Sequence, residues 1–257
     1  MTRRGVVTMR VMNLIQARWA RRKAVRVSAD VLGAVVVTAC VMLSAPVPSA
    51  AAQPCPDVEV VFARGTAEPP GVGGVGQAFV DALQSQVGTK SVGVYGVNYA
   101  AGSDFGAGID FARTFVDGIR DAGAHVESTA ANCPNTRMVL GGYSQGAALA
   151  GFVTSAVIPS EVPAAYMSYM PHPMPPAVAN HVAAVVLFGK PSDQFMRENG
   201  VPPVAIGPLY APKTIELCAQ GDDICDGVPG GRPGIAHIMY PMNGMTNDAA
   251  TFAVSRL

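Results

Sequence analysis

The stretch Met138-Val139-Leu140-Gly141-Gly142-Tyr143-Ser144-Gln145-Gly146-Ala147-Ala148-Leu149-Ala150 decides the fold. Its first three residues are a short apolar run of strand character. Its last four are strong helix formers. Between them lies Gly142-Tyr143-Ser144-Gln145-Gly146, a G-x-S-x-G sequence. That pattern arises by chance in many chains, and an ordinary glycine-rich turn is the competing reading. A strand before it and a helix after it are the setting of a nucleophile elbow, in which a sharp turn presents a serine hydroxyl at the edge of a sheet. The turn leaves no room for side chains at Gly142 and Gly146. The helix beginning after Ser144 directs its positive end toward a developing oxyanion.

Working outward, the chain alternates strand and helix signals. Asp57–Ala63, Ser91–Val97, Arg137–Gly141, His181–Phe188 and Thr214–Ala219 are apolar, β-branched or aromatic runs that predict strands. Gly76–Val87, Phe105–Thr129, Ala147–Val157 and Asn247–Arg256 carry helical spacing or composition. Such alternation predicts an α/β fold, a mostly parallel sheet covered by helices on both faces. Pro159 to Pro176 is rich in Pro and Met and predicts a surface loop.

The first 52 residues read differently. They are basic at the start, almost wholly apolar from Val31 to Leu43, and end in Ala50-Ala51-Ala52 before Gln53. These are the parts of an export signal. The apolar run falls short of the ~20 residues of a membrane span, so no stable span is expected. Arg21-Arg22 raises a twin-arginine signal. Val37-Thr38-Ala39-Cys40 raises a lipidated cysteine, with simple cleavage after Ala52 preferred. The expected division is therefore a leader over 1–52 and one domain over 53–257. Of the chain's 18 basic and 18 acidic residues, eight and one fall in the leader, so 53–257 carries a net charge of −7. An acidic domain with no basic cluster argues against nucleic acid as a partner.

Four cysteines remain after the leader: Cys55, Cys133, Cys218 and Cys225. An even number in an exported chain implies disulfides. Cys218 and Cys225 are near neighbours around a turn-rich stretch and are paired, which leaves Cys55 with Cys133. Without paired C-x-x-C spacing they make poor zinc ligands, and no metal or organic cofactor is implied.

A nucleophilic serine needs a base, and the base needs an orienting acid, in the chain order Ser, Asp, His for this type of hydrolase. Of four histidines, His125 precedes the serine and is read as a solvated helix-face residue. His172 lies in the Pro-rich loop, and His181 opens an apolar run. Only His237 follows an acidic cluster. For the acid, Asp222, Asp223 and Asp226 all lie on or beside the small Cys218–Cys225 loop, and position alone leaves all three open.

Arg64-Gly65-Thr66 after the first strand, Gly142-Tyr143-Ser144-Gln145-Gly146, Cys218-Ala219-Gln220-Gly221-Asp222-Asp223-Ile224-Cys225 and Ala236-His237 together resemble the cutinase family, most closely its bacterial branch. The resemblance covers residues 55–257 in order. It implies a single-domain, lidless α/β-hydrolase with the same two disulfides; with the export leader, a secreted, extracellular or wall-associated monomer is expected. It also selects Asp222 as the acid and assigns the oxyanion donors to Thr66, through hydroxyl and main chain, and to the main-chain N–H of Gln145. Thr66 stands where the fungal members commonly have Ser. The implied substrates are short-to-medium acyl esters, polyesters or lipid esters. Phospholipid or thioester hydrolysis, or a catalytically idle surface binding protein, are the alternatives. Two apolar loops, Val201–Tyr210 and Ile238–Met245, are the expected acyl-binding segments.

Overall fold

A computed structural model describes residues 54–257; the expected leader, with Cys40, lies outside them. Five strands form one parallel sheet in the order β2-β1-β3-β4-β5, with β1 at Val58–Ala63, β2 at Val92–Gly96, β3 at Arg137–Tyr143, β4 at Val182–Phe188 and β5 at Thr214–Leu217. The longer helices are α1 (Gly73–Gln86), α2 (Ile109–Asn132), α3 (Gln145–Val153) and α6 (Met245–Val254). Two short ones are α4 (Asp193–Glu198) and α5 (Ile235–Ile238).

Strand geometry explains why these runs are so apolar. Successive side chains point to opposite faces, and a parallel sheet covered on both sides buries both sets in its central strands. Along β1, Val60 and Phe62 enter a core shared with Phe79 and Leu83 of α1 and with Ala249 and Ala253 of α6. Val61 and Ala63 enter a second core with Ile119 and Val126 of α2 and Leu149 and Val153 of α3. Every residue of β4 is buried. Phe62, Phe79 and Phe188 pack with ring centroids 5.9–6.2 Å apart. Each such fully buried ring is worth about 2–3 kcal/mol over leaving it in water.

Several boundaries differ from the sequence reading for identifiable reasons. The helix expected over Phe105–Thr129 breaks at Gly108, whose φ is +55°; a single 3₁₀ turn, Phe105–Ala107, precedes it and α2 begins at Ile109. The helix after the elbow starts at once, at Gln145, and stops at Val153 before the Pro159 stretch. The expected surface loop contains a 3₁₀ segment, Ala164–Tyr169, with Tyr166 and Met167 exposed. Helices α4 and α5 were not expected. The first is capped by Ser192 Oγ, which accepts from the Phe195 N–H.

Cys55 pairs with Cys133 and Cys218 with Cys225, as the sequence implied. The first bridge spans 78 residues and ties the start of β1 to the turn before β3. A loop of that length is worth roughly 4 kcal/mol in the chain-entropy account. His125 is not a solvated face residue: its ring stacks on Tyr95 at 3.5 Å, and its Nε2 lies 3.0 Å from Glu59 Oε1. A solvated reading failed because β2 is the sheet edge, and α2 lays this side chain across it.

Candidate active site

The groups singled out in the sequence meet beyond the carboxyl ends of β1, β3 and β5, where open α/β sheets leave a crevice. Ser144 sits between β3 and α3 with φ +55° and ψ −119°. Two other non-glycine residues among those described have positive φ, Ala67 and Ala101, and the Ala67 N–H donates to the Ala101 carbonyl at 2.7 Å. Strained backbone thus clusters around the serine, where the packed sheet over-determines it. A Cβ on Gly142 would collide with the Gly146 carbonyl, and one on Gly146 with the Ala63 carbonyl. Both elbow glycines are therefore steric requirements.

Ser144 Oγ lies 2.9 Å from His237 Nε2. His237 Nδ1 lies 2.9 Å from each oxygen of Asp222. The imidazole is buried and the carboxylate fully so. His237 is carried on α5, a single turn entered from Gly234, and is its buried residue. Burial pushes the Asp222 carboxyl up, but hydrogen bonds from His237 and Tyr240, the His237 charge and the Ile224 N–H outweigh it and hold the group below its ordinary value. Asp222 is thus kept ionised beside the ring.

The neighbouring acids are placed otherwise. Asp226 Oδ1 accepts from its own loop at Val228 N–H, 3.0 Å. Asp226 is exposed, Asp223 is half-buried, and neither bonds His237. Of the other histidines, His172 lines a separate cavity beside α2, and His125 and His181 lie away from Ser144.

Ser144, His237, Thr66 and Gln145 line one cleft of about 710 Å³. As the first residue of α3, Gln145 has a main-chain N–H with no intrahelical acceptor, and its side-chain amide donates to the Gly102 carbonyl at 3.0 Å. The turn carrying Thr66 is pinned by Glu68, whose carboxylate accepts from the N–H groups of Gly65 (2.6 Å) and Gly74 (2.7 Å). Arg64, buried beneath it, donates to the carbonyls of Glu68, Val97 and Tyr99.

The apolar lining departs from expectation. Of the two loops proposed for it, only Val201 and Ile238 contribute. Val204 and Ile206 instead pack against Gly151 of α3 and do not line the cleft. The lining comes from Phe105, Phe111 and Phe115, a row with ring centroids 4.9 and 6.4 Å apart, and from Pro191, Phe195 and Met196.

Two tyrosines were missed. Tyr240 is fully buried; its hydroxyl donates to Asp222 Oδ2 at 2.6 Å and accepts from the Ala219 N–H at 3.1 Å. Tyr143 donates to the His237 carbonyl at 2.7 Å. Burial pushes both phenols well above their ordinary value, so both stay protonated donors. The i, i+3 spacing of His237 and Tyr240 on one turn was the available signal.

A five-stranded parallel sheet flanked by helices, with this serine at its crevice, defines a single-domain α/β-hydrolase. The comparisons with known proteins narrow the class. The family model Cutinase matches residues 54–257, and the chain belongs to the cutinase family. Carboxylesterase Culp1 of Mycobacterium tuberculosis is 50% identical over 231 residues, 88% of this chain and 94% of the relative. Phospholipase Culp4 of the same organism is 45% identical over 240 residues, 93% and 96% of the two chains. The structure of Trichoderma reesei cutinase in complex with a phosphonate inhibitor is 33% identical, with a TM-score of 0.56 over 79% of this chain and 77% of that one. The protein is a carboxylic-ester hydrolase. Among the described residues no helix is long and apolar enough to cross a membrane.

Proposed function

We propose that this chain hydrolyses carboxylic esters by two-step acyl transfer through Ser144, His237 and Asp222. The observation that carries the reading is the unbroken chain of hydrogen bonds from Ser144 Oγ through both ring nitrogens of His237 to Asp222. With Nδ1 protonated toward the ionised Asp222, Nε2 is left to accept the serine proton. Ser144 Oγ attacks the ester carbonyl, and the oxyanion settles against Thr66 and the Gln145 N–H. Each such donor is worth about 3 kcal/mol in related enzymes. His237 then returns the proton to the leaving alcohol, and water, deprotonated by the same imidazole, releases the acid.

The aromatic row and Met196 give the cleft an apolar grip suited to short and medium acyl chains. The identity to Culp4, whose name is phospholipase, favours a second reading in which the acyl ester belongs to a phospholipid. An idle binding role has less support, because the hydrogen-bonded chain is complete and opens on a cleft. All these groups come from one polypeptide, so a monomer suffices. Residues 1–52 are proposed as an export leader and 53–257 as the enzyme, acting outside the cell or at its wall. Two disulfides and the leader's composition support this.

Replacing the nucleophile tests the reading directly. Ser144→Ala is expected to lower hydrolysis of a chromogenic butyrate ester by about 10³-fold or more, with the far-ultraviolet circular dichroism unchanged. Activity near that of the native protein would remove Ser144 from the reaction.

A further inference from the structure

Residues 54–257 contain ten cationic side chains. Five of them donate to main-chain carbonyls, and three, Arg120 again among them, pair with carboxylates. Among the described residues Lys90, Arg197 and Arg232 have neither kind of partner, and of these Arg232 alone lines the cleft with Ser144 and His237. Its position is built. Glu198 Oε2 accepts from the Gly230 N–H at 2.9 Å, and Gly231 packs so closely on the Asp223 carbonyl that a Cβ there would collide with it. Pro233 then restricts the chain on the other side. Glu198 is the carboxylate that lines the same cleft, but its two oxygens are already taken by Gly230 and by Gln194 Nε2 at 2.6 Å. Arg232 therefore presents a free guanidinium at the rim of a mainly apolar cleft, in a domain whose net charge is −7.

The side of the cleft matters. The leaving alcohol must lie within reach of His237 Nε2 to receive its proton. Arg232 and Pro233 line the same cleft as that imidazole, and an alcohol substituent directed toward them meets the guanidinium. A guanidinium there offers two parallel N–H donors to a phosphate or carboxylate. We propose that Arg232 is a specificity residue that favours esters whose leaving alcohol carries an anionic group. This inference rests on Ser144 and His237 acting as described above.

The test compares kcat/KM for matched pairs of monomeric esters. Dihexanoyl phosphatidic acid against dihexanoylglycerol is the phosphate arm; hexanoyl glycolate against its methyl ester is the carboxylate arm. Arg232→Gln is expected to lower the anionic-to-neutral ratio about fivefold, the upper range for a solvent-exposed charge pair, and Arg232→Lys to restore part of it. In the native protein the same ratio falls as salt is raised from low to molar concentration, a measurement that needs no variant. Loss in one arm alone identifies which anion is read. An unchanged ratio in both arms, or a ratio insensitive to salt, overturns the role of Arg232 while leaving the esterase reading intact. Failure of the native protein to hydrolyse any of the four esters overturns both.

Discussion

Between Ala219 and Asp226 nearly every polar atom around the Asp222 carboxylate has a partner, whereas from Gly102 to Phe115 the chain offers the cleft mainly rings. In the first region Asp222 Oδ1 accepts from the Ile224 N–H at 3.1 Å, an Asx-type turn. The Asp222 carbonyl accepts from Cys225 and Asp226, the Cys218–Cys225 bridge closes the loop, and Tyr240 caps the second carboxylate oxygen. In the second region Phe105 is 51% exposed and Ile109 39%, Gly108 interrupts the helix, and one bond, from Gln145 to Gly102, ties the segment to the elbow. In the proposed relay the groups that move protons are held by directional bonds, because a small tilt of the imidazole would break it. Groups that grip an alkyl chain need only present apolar area, which is not directional. Each variant below should therefore have a large effect in the acid loop and a small one in the aromatic row.

The largest effect is expected at Asp222. Asp222→Asn keeps the shape but removes the charge that orients and stabilises the imidazole. By analogy with serine proteases kcat should fall by about 10⁴. Asp223→Asn and Asp226→Asn should change it only a few-fold. If Asp223→Asn were the crippling change, the acid would have to be reassigned.

Next is Tyr240→Phe, which removes one hydrogen bond to a buried carboxylate and little volume. A bond of that kind is worth about 1.5 kcal/mol, so kcat should drop about tenfold with KM nearly unchanged. The variant also has a pH signature. In the native protein Asp222 is held below its unfolded value of about 3.9. Its contribution to stability is therefore fully present above that value and is lost as pH falls through the lower, folded one. Without the Tyr240 hydroxyl the folded value rises, so acid unfolding followed by circular dichroism should begin at higher pH. An unmoved acid transition would reduce Tyr240 to a packing residue.

The smallest effect is expected in the aromatic row. Each methylene gripped there is worth about 0.8 kcal/mol, and Phe105→Ala should flatten the gain in kcat/KM from butyrate to octanoate esters by about fourfold. An unchanged chain-length profile would assign the acyl site to another part of the cleft.

The two regions were also unequally legible in the sequence. Met138–Ala150 announced the elbow because a strand, a serine between glycines and a helix are local features, each readable within a few residues. Cys218–Cys225 announced a closed loop for the same reason. Asp222, Asp223 and Asp226 could not be separated by position, because which carboxylate turns inward depends on φ and ψ in and beside the eight-residue Cys218–Cys225 ring; only the resemblance to cutinases selected Asp222. The aromatic row was missed: Phe105, Phe111 and Phe115 were read only as parts of one helix over Phe105–Thr129, and nothing local indicated that Gly108 would break it and leave Phe105 lining the cleft with Ser144. The reverse error befell Val204 and Ile206, apolar residues of an expected acyl-binding loop that pack against Gly151 of α3 instead.

By itself the sequence determined the α/β alternation, the strand–turn–helix at Ser144 and the two disulfides, and it singled out His237 as the proposed base, all written in short-range pattern and chain order. The tertiary structure decided which atoms meet. Tyr240 reaches Asp222, Glu68 pins the turn of Thr66, and Arg232 stands free at the rim. Each of these depends on segments from different strands arriving at one crevice, and no local pattern encodes the distance between them.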